Sequence, residues 1–119
     1  MKSAIISIID DDLATRSALA SLMRSKGFDA KTFESAEDFL RAGAQETSQC
    51  IITDIQMPGS MDGLKLAATV RGRWPPIKIV ATSGHHAIRD GELPKGSAFL
   101  QKPYNAVTVG RVLHEMIAA

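Results

Sequence analysis

The chain of 119 residues has a single cysteine and no long apolar run. One cysteine excludes a disulfide within the chain. Because Cys50 lies in a short apolar segment, we expect it to be a small buried side chain. No stretch approaches the roughly 18 apolar residues that a membrane-spanning helix needs. A reducing setting suits this cysteine content, and we expect a cytoplasmic location.

The chain also lacks an excess of charge of one sign. Lysine and arginine number 14, aspartate and glutamate number 13, and the net charge is +1. Without a basic cluster, we expect no direct contact with nucleic acid or with a membrane surface. Zinc is disfavoured because cysteine and histidine are not clustered. A composition of 45% apolar and 23% charged residues predicts one ordinary globular domain over residues 1–119.

Short apolar segments alternate with amphipathic ones along the chain. Four apolar segments are typical of strands buried in a parallel sheet, and they cover residues 4–9, 50–53, 77–82 and 98–101. Residues 28–33 predict a shorter, partly exposed strand, the second of five along the chain. The amphipathic segments predict helices, and these cover residues 13–26, 35–42, 63–73 and the segment after 105.

This alternation predicts an α/β fold with helices on both faces of a parallel sheet. The right-handed crossover rule leaves few arrangements. We choose a flavodoxin-like (βα)5 three-layer sandwich with the strand order 2-1-3-4-5. One segment departs from the pattern, because Gly91, Pro94 and Gly96 leave at most two helical turns around residues 86–90. We therefore expect the fourth helix to be short or degenerate.

Polar residues stand at or just after the ends of four apolar segments. In the order of the five predicted strands, Asp10 and Asp11 follow the first, Asp54 follows the third, Ser83 follows the fourth and Lys102 follows the fifth. In an open α/β sheet, ligands bind outside the carboxyl ends of the strands. We therefore expect these side chains to share one crevice, with the acids between the first and third strands.

The residue types in this crevice indicate phosphoryl chemistry with a divalent cation. Clustered carboxylates need a counter-charge, and oxygen-only ligands favour Mg²⁺ when a phosphate completes its coordination. Asp54 is then a candidate nucleophile toward phosphorus. Lys102 would neutralise phosphate oxygens and Ser83 would donate a hydrogen bond, while Gly84 would let the backbone approach a phosphate.

Five short motifs together resemble the receiver domains of two-component response regulators. They keep the order and approximate spacing of that family along the whole chain: Ile8-Ile9-Asp10-Asp11-Asp12, Ile52-Thr53-Asp54, Met57-Pro58 with Met61-Asp62-Gly63, Ser83-Gly84, and Lys102-Pro103. The resemblance implies that Asp54 is the phosphoacceptor. It implies that Asp11 binds Mg²⁺ directly, that Asp10 helps through water, and that the backbone carbonyl of Gln56 is the remaining protein ligand.

The resemblance also assigns roles around the phosphate. It implies that Ser83 is the switch hydroxyl, that Lys102 binds the phosphate, and that Phe99 is the switch aromatic. The Lys102-Pro103 bond is expected to be cis, which a prolyl bond permits at small cost.

The implied partners are a histidine kinase or a histidine phosphotransfer protein as donor and an unknown downstream protein. Phosphorelay signalling of this kind makes the chain a phosphoprotein rather than an enzyme, with at most slow self-dephosphorylation. A homodimer is left open. A stand-alone receiver and one domain of a longer regulator both fit, and we favour the first.

Two other functions compete with this interpretation. One is a Mg²⁺-dependent phosphatase working through an aspartyl-phosphate. Such enzymes place an acid two residues after the nucleophile, where this chain has Gln56, which cannot transfer a proton. The other is a degenerate receiver-like interaction module, against which the intact acids, Ser83 and Lys102 argue.

Several residues also have plainer interpretations. Asp12 and Asp62 are expected to cap helices. Thr82 is a rival for the role of Ser83, and Phe99 equally fits a place in the core.

Departures from the family pattern concern the loops. Gly59 and Ser60 stand where the family usually has one residue, and Leu13 stands where many members have proline. The adjacent His85 and His86 lack further ligands and are interpreted as loop residues.

Overall fold

The computed structural model describes residues 3–57, 59, 61–84 and 91–118. Within these residues it contains five strands, four α-helices and one short 3₁₀ helix. The strands are β1 (Ile5–Ile9), β2 (Asp29–Phe33), β3 (Cys50–Asp54), β4 (Lys78–Ser83) and β5 (Ala98–Gln101). The helices are α1 (Leu13–Ser25), α2 (Ala36–Arg41), α3 (Gly63–Arg73) and α4 (Ala106–Ala118), and the 3₁₀ helix is Ala44–Glu46.

All five strands run parallel in one sheet with the order β2-β1-β3-β4-β5. The predicted fold class and strand order are therefore confirmed. The register places Ile9 beside Thr53 and Asp54 beside Thr82. The last residues of β1, β3 and β4 consequently lie side by side along one edge, called here the carboxyl edge of the sheet.

Apolar side chains cover both faces of the sheet in two separate clusters. Ile52 belongs to the cluster that contains Leu113 of α4, whereas its neighbour Ile51 belongs to the cluster that contains Leu66 of α3. This follows from the two-residue period of a strand, which sends consecutive side chains to opposite faces. Full burial of each such side chain contributes about 1.5–3 kcal/mol, and together they hold the sheet rigid beneath its carboxyl edge.

The single cysteine lies in the first of these clusters and is completely buried. Burial raises the pKa of the Cys50 thiol to about 12. The thiol is therefore protonated at neutral pH and behaves as the small apolar side chain that the sequence predicts.

Each described α-helix is preceded by an N-cap residue, whose side chain accepts a hydrogen bond from the backbone N–H three residues later. Such a cap stabilises a helix by about 1 kcal/mol. The predicted caps at Asp12 and Asp62 are confirmed among them. The four pairs are Asp12 with Thr15 (2.9 Å), Ser35 with Asp38 (3.1 Å), Asp62 with Lys65 (2.9 Å) and Asn105 with Thr108 (2.8 Å).

The structure corrects several predicted boundaries. β4 lies one residue later than expected and includes Ser83, and β3 extends to Asp54, because the ladder between β3 and β4 continues to the pair of Asp54 with Thr82. The backbone N–H of Ile55 also donates to the carbonyl of Thr82, at 2.9 Å. Asp54 and Ser83 are therefore the last residues of strands, held by the sheet.

The helix expected around residues 86–90 and the two histidines at 85 and 86 lie outside the described residues. The neighbouring described segment, 91–97, contains turns and bends and no helix. Among the helices of the described segments, none is long and apolar enough to cross a membrane.

Candidate functional site

The end of β1 carries two acids in different environments. Asp10 is only 2% exposed, while Asp11 is exposed. The backbone N–H of Asp10 donates to the carbonyl of Phe33 at 3.1 Å, and Asp10 Oδ1 accepts from the N–H of Asp12 at 2.9 Å. The chain turns here from strand to helix, and this turn brings two consecutive acids to the same edge.

Carboxylate oxygens of Asp10, Asp11 and Asp54 lie within 4.8 Å of one another. They meet between β1 and β3, the adjacent central strands, as the strand order requires. Three oxygen donors at this spacing can reach one ion, and hard divalent cations such as Mg²⁺ take oxygen ligands. The donor set therefore fits the cation that the sequence suggests.

Lys102 provides a positive charge beside these acids. Its Nζ lies 3.3 Å from Asp10 Oδ2 and 3.5 Å from Asp54 Oδ2. Its backbone N–H donates to the carbonyl of Ser83 at 2.8 Å, which ties the residue to the end of β4. One lysine does not balance three carboxylates, so the crevice remains electrostatically suited to a cation.

Burial and charge shift the pKa values in this crevice. Burial raises the pKa of the Asp54 carboxyl above its usual range, the Lys102 ammonium opposes this, and the Asp10 carboxylate adds to it. Burial alone would lower the pKa of Lys102, but the carboxylates of Asp10 and Asp54 outweigh it and raise that pKa. Lys102 is therefore a permanent cation at neutral pH.

The chain after β3 closes tightly on Asp54. The backbone N–H of Gln56 donates to Asp54 Oδ1 at 3.3 Å, while the role of the Gln56 carbonyl stays a prediction. The N–H of Gly63 donates to the carbonyl of Ile55 at 3.0 Å. A Cβ on Gly63 would overlap the carbonyl oxygen of Asp54 and lie 2.7 Å from the Cα of Ile55. Only glycine fits at the start of α3.

Sequence reasoning gave Gly63 no role beyond its place in a motif. The available signal was a glycine at the first position of a helix, where most residues are better helix formers. A close approach of two backbone segments explains the glycine.

The proposed switch residues occupy neighbouring strands. Ser83 is completely buried. Thr82, the alternative candidate for the switch hydroxyl, is buried as well, with 1% of its surface exposed. Phe99 is half-buried in β5 and belongs to neither apolar cluster of the described residues, which gives no support to its interpretation as core filler. The roles of Ser83 and Phe99 stay predictions.

Two expectations about the flanking backbone have different outcomes. The Lys102-Pro103 peptide bond is cis, as predicted. A Cβ on Gly84 would only reach ordinary contact, 3.8 Å, with the Lys102 side chain. The space among the described residues therefore does not require a glycine at position 84, and its suggested approach to a phosphate stays a prediction.

An open cleft of about 600 Å³ lies beside Lys102, between α1 and the segment that leads into α4. Its walls are mainly apolar and include Ala14, Ala18 and Tyr104. The chain neighbours of two lining residues, Ala14 and Ala106, are exposed large apolar side chains: Leu13 at 66% and Val107 at 76%. Sequence reasoning missed this surface, although a leucine at the first position of a helix, on no buried stripe, was a signal.

Known proteins are similar to this chain in sequence and in fold. The response regulator receiver domain, as a family, matches residues 6–112. The chain belongs to this family. The transcriptional regulatory protein FixJ of Azorhizobium caulinodans is 34% identical to this receiver domain over 116 residues, which cover 91% of the chain and 52% of FixJ. The transcriptional regulatory protein TdiR of Thauera aromatica is 35% identical over 105 residues, covering 86% of the chain and 46% of TdiR.

A solved structure gives the same result at the level of the fold. NtrX of Brucella abortus superposes with a TM-score of 0.86 at 26% identity, covering 98% of this receiver domain and 27% of the NtrX chain. The receiver domain thus spans about half the length of FixJ and TdiR and a smaller part of NtrX. It is a signalling domain of two-component response regulators.

Proposed function

We propose that Asp54 accepts a phosphoryl group from the phosphohistidine of a kinase or phosphotransfer protein, in a reaction that requires Mg²⁺. The observation that carries this proposal is the convergence of three carboxylates and one lysine at the carboxyl edge of the sheet. Phosphoryl transfer depends mainly on positioning and on neutralisation of charge, and this arrangement provides both.

Asp54 is a better nucleophile than its buried neighbour Asp10. Both oxygens of Asp10 are engaged, one by a short hydrogen bond from Asp12 and the other by Lys102. Asp54 is held less closely: its backbone hydrogen bond, from the Gln56 N–H, is 3.3 Å against 2.9 Å for Asp10, and its contact with Lys102 is 3.5 Å against 3.3 Å. A carboxylate oxygen of Asp54 attacks phosphorus, the bond from phosphorus to the donor imidazole nitrogen breaks, and the imidazole leaves with the electron pair.

The other residues hold the cation and the phosphate. Asp10, Asp11, Asp54 and the Gln56 carbonyl would hold Mg²⁺, which when bound supplies charge neutralisation for phosphoryl oxygens. Lys102 lies within reach of both buried acids and can shift from them to a phosphate oxygen. A permanently charged ammonium at this place lowers the electrostatic cost of adding a phosphoryl group.

The added charge would be transmitted through β4 and β5. The Ser83 hydroxyl donates to the new phosphate, and Phe99 on the adjacent strand changes its position, which alters the surface offered to a downstream protein. Phe99 lies outside the two apolar clusters that the described residues form, and this supports the role, because its displacement need not disturb either of those clusters.

The donor approaches over the apolar cleft beside Lys102. Exposed Leu13 and Val107, the chain neighbours of the cleft residues Ala14 and Ala106, offer apolar contact area, and removal of such area from water favours association. The direct downstream contact is with protein, since a net charge of +1 gives little attraction to nucleic acid. A cytoplasmic location stays a prediction.

Self-dephosphorylation of Asp54 is expected to be slow. A phosphatase of the aspartyl-phosphate type needs an acid two residues after the nucleophile, and Gln56 cannot serve. The domain therefore stores the phosphoryl group as a signal and does not turn over phosphate esters.

The test is labelling with phosphoramidate, a small phosphodonor, in the presence of Mg²⁺. The unaltered domain should form a base-labile adduct, and both EDTA and the substitution Asp54→Asn should abolish it. Asp29→Asn is the matched control, because Asp29 is exposed at the opposite end of the sheet, and it should label normally. Equal labelling of Asp54→Asn and the unaltered domain would remove Asp54 from its role.

A further inference from the structure

Arg16 makes a contact with the acid cluster that the phosphoryl chemistry does not use. Its Nη1 donates to the backbone carbonyl of Asp10 at 2.8 Å. That carbonyl belongs to the peptide group that joins Asp10 to Asp11, so the guanidinium holds the backbone between two acids of the cluster.

The position of this arginine in its helix is unfavourable by itself. Arg16 lies at the end of the first turn of α1, where the positive end of the helix dipole disfavours a cation by roughly 0.3–1 kcal/mol. The helix, all of which the structure describes, has no acidic residue in that turn, but the charge of its cap Asp12 attracts Arg16. The guanidinium gains this attraction and the contact with the Asp10 carbonyl.

Asp11 depends on the backbone for its orientation. Asp10 is held at its N–H, at Oδ1 and at Oδ2 by Phe33, Asp12 and Lys102. Asp11 is exposed, and within the described residues its carboxylate accepts no hydrogen bond. The peptide group that precedes Asp11 therefore fixes the point and the angle at which the Asp11 side chain leaves the backbone, and so which positions its carboxylate can reach.

We propose that Arg16 is a positioning residue of the acid cluster, which orients the Asp11 carboxylate toward Asp54 before a cation binds. This inference rests on the proposed function, because it assumes that the cluster binds Mg²⁺. Loss of a residue that orients a metal ligand typically weakens metal binding by about tenfold or more. We expect Arg16→Gln to weaken Mg²⁺ binding by about tenfold.

The sign of this effect separates positioning from simple electrostatics. A guanidinium near the cluster repels a second cation, so loss of its charge alone would strengthen Mg²⁺ binding. Positioning predicts weaker Mg²⁺ binding in Arg16→Gln, because without Arg16 the cation must order Asp11 as it binds, and the free energy that this ordering costs reduces the free energy of binding. Weaker binding in Arg16→Gln therefore cannot arise from the loss of charge.

The experiment is calorimetric titration with Mg²⁺, with Arg24→Gln as the matched control. Arg24 lies on the same helix and its Nη2 also donates to a backbone carbonyl, that of Ala30 at 3.1 Å, away from the acids. Arg24→Gln should bind Mg²⁺ as the unaltered domain does. Arg16→Lys, which keeps a donor, should bind more tightly than Arg16→Gln. Without Mg²⁺, the melting temperatures of Arg16→Gln and Arg24→Gln should be alike.

Three results would overturn the inference while leaving the proposed function intact, provided that the unaltered domain binds Mg²⁺ and labels. They are unchanged or tighter binding in Arg16→Gln, equal weakening in Arg24→Gln, and weaker binding in Arg16→Lys than in Arg16→Gln. Failure of the unaltered domain to bind Mg²⁺ would overturn both.

Discussion

The substitution Asp54→Asn should make the domain more stable in the absence of Mg²⁺. Asp54 is buried and its carboxylate lies within 4.8 Å of two others. Burial raises the pKa of Asp54, opposed by Lys102, which means that folding disfavours its ionised form. Asparagine keeps the size and the hydrogen-bonding oxygen but removes the charge, so it relieves repulsion that the folded state otherwise contains.

The magnitude follows from the distances. At an effective dielectric constant of about 20, a pair of carboxylates at this separation costs about 3 kcal/mol, and an ammonium 3.5 Å from Asp54 offsets about 5 kcal/mol. Asp11 is exposed, so its repulsion is screened and smaller than that of Asp10. With the desolvation of the buried carboxylate included, we expect a gain of about 1–2 kcal/mol in the free energy of unfolding. A domain of this size should then melt about 5 °C higher.

The pH dependence has a definite sign. The pKa of Asp54 is higher in the folded state than its ordinary value of 3.8. As the pH rises, Asp54 therefore loses its proton in the unfolded state before it does so in the folded state. The stability associated with protonated Asp54 is therefore complete below pH 3.8 and is lost as the pH rises through the folded pKa. The advantage of Asp54→Asn should be small below pH 3.8 and should grow to its full size at neutral pH.

Thermal unfolding followed by circular dichroism measures this effect, with EDTA and then with millimolar Mg²⁺. A cation that binds only the folded state stabilises it in proportion to its affinity, so Mg²⁺ should raise the melting temperature of the unaltered domain more than that of Asp54→Asn. Asp29→Asn, at an exposed site, should shift neither curve. If Asp54→Asn melts at or below the unaltered domain in EDTA at neutral pH, the acid cluster is not under electrostatic strain and the reasoning is wrong.

Two further predictions concern the supports around the site. Gly63→Ala should lower the free energy of unfolding, measured by urea denaturation, by about 1–3 kcal/mol, because the new Cβ overlaps the backbone of Asp54. Gly72→Ala on the same helix, with open space around it, should instead raise that free energy by up to about 1 kcal/mol. A similar loss in both variants would contradict the steric explanation. Leu13→Ser and Val107→Ser should each slow phosphotransfer several-fold from a phosphorylated histidine kinase that labels the unaltered domain. Labelling of both variants by phosphoramidate should be unchanged. An equal loss with both donors would show that these side chains support the site itself and not docking.

Much of this receiver domain is determined by signals between near neighbours in sequence. Apolar runs of four or six residues predict four of the five strands, and the capping residues Asp12 and Asp62 predict where helices begin, because a cap acts over three residues. The handedness of the crossovers leaves few strand orders, and the flavodoxin-like order is the one chosen among them. That order alone brings the ends of β1 and β3 together, so proximity of Asp10 and Asp54 was predictable without coordinates.

Only the tertiary structure decided the contacts that cross between elements. The register of β3 against β4 places Asp54 and Ser83 on strands, and the seating of α3 against β3 makes Gly63 obligatory. The guanidinium of Arg16 reaches back across the acid turn to the Asp10 carbonyl, and no spacing rule predicts that. Such contacts depend on how packed elements sit within a few tenths of an ångström of one another, which the composition of each element does not encode.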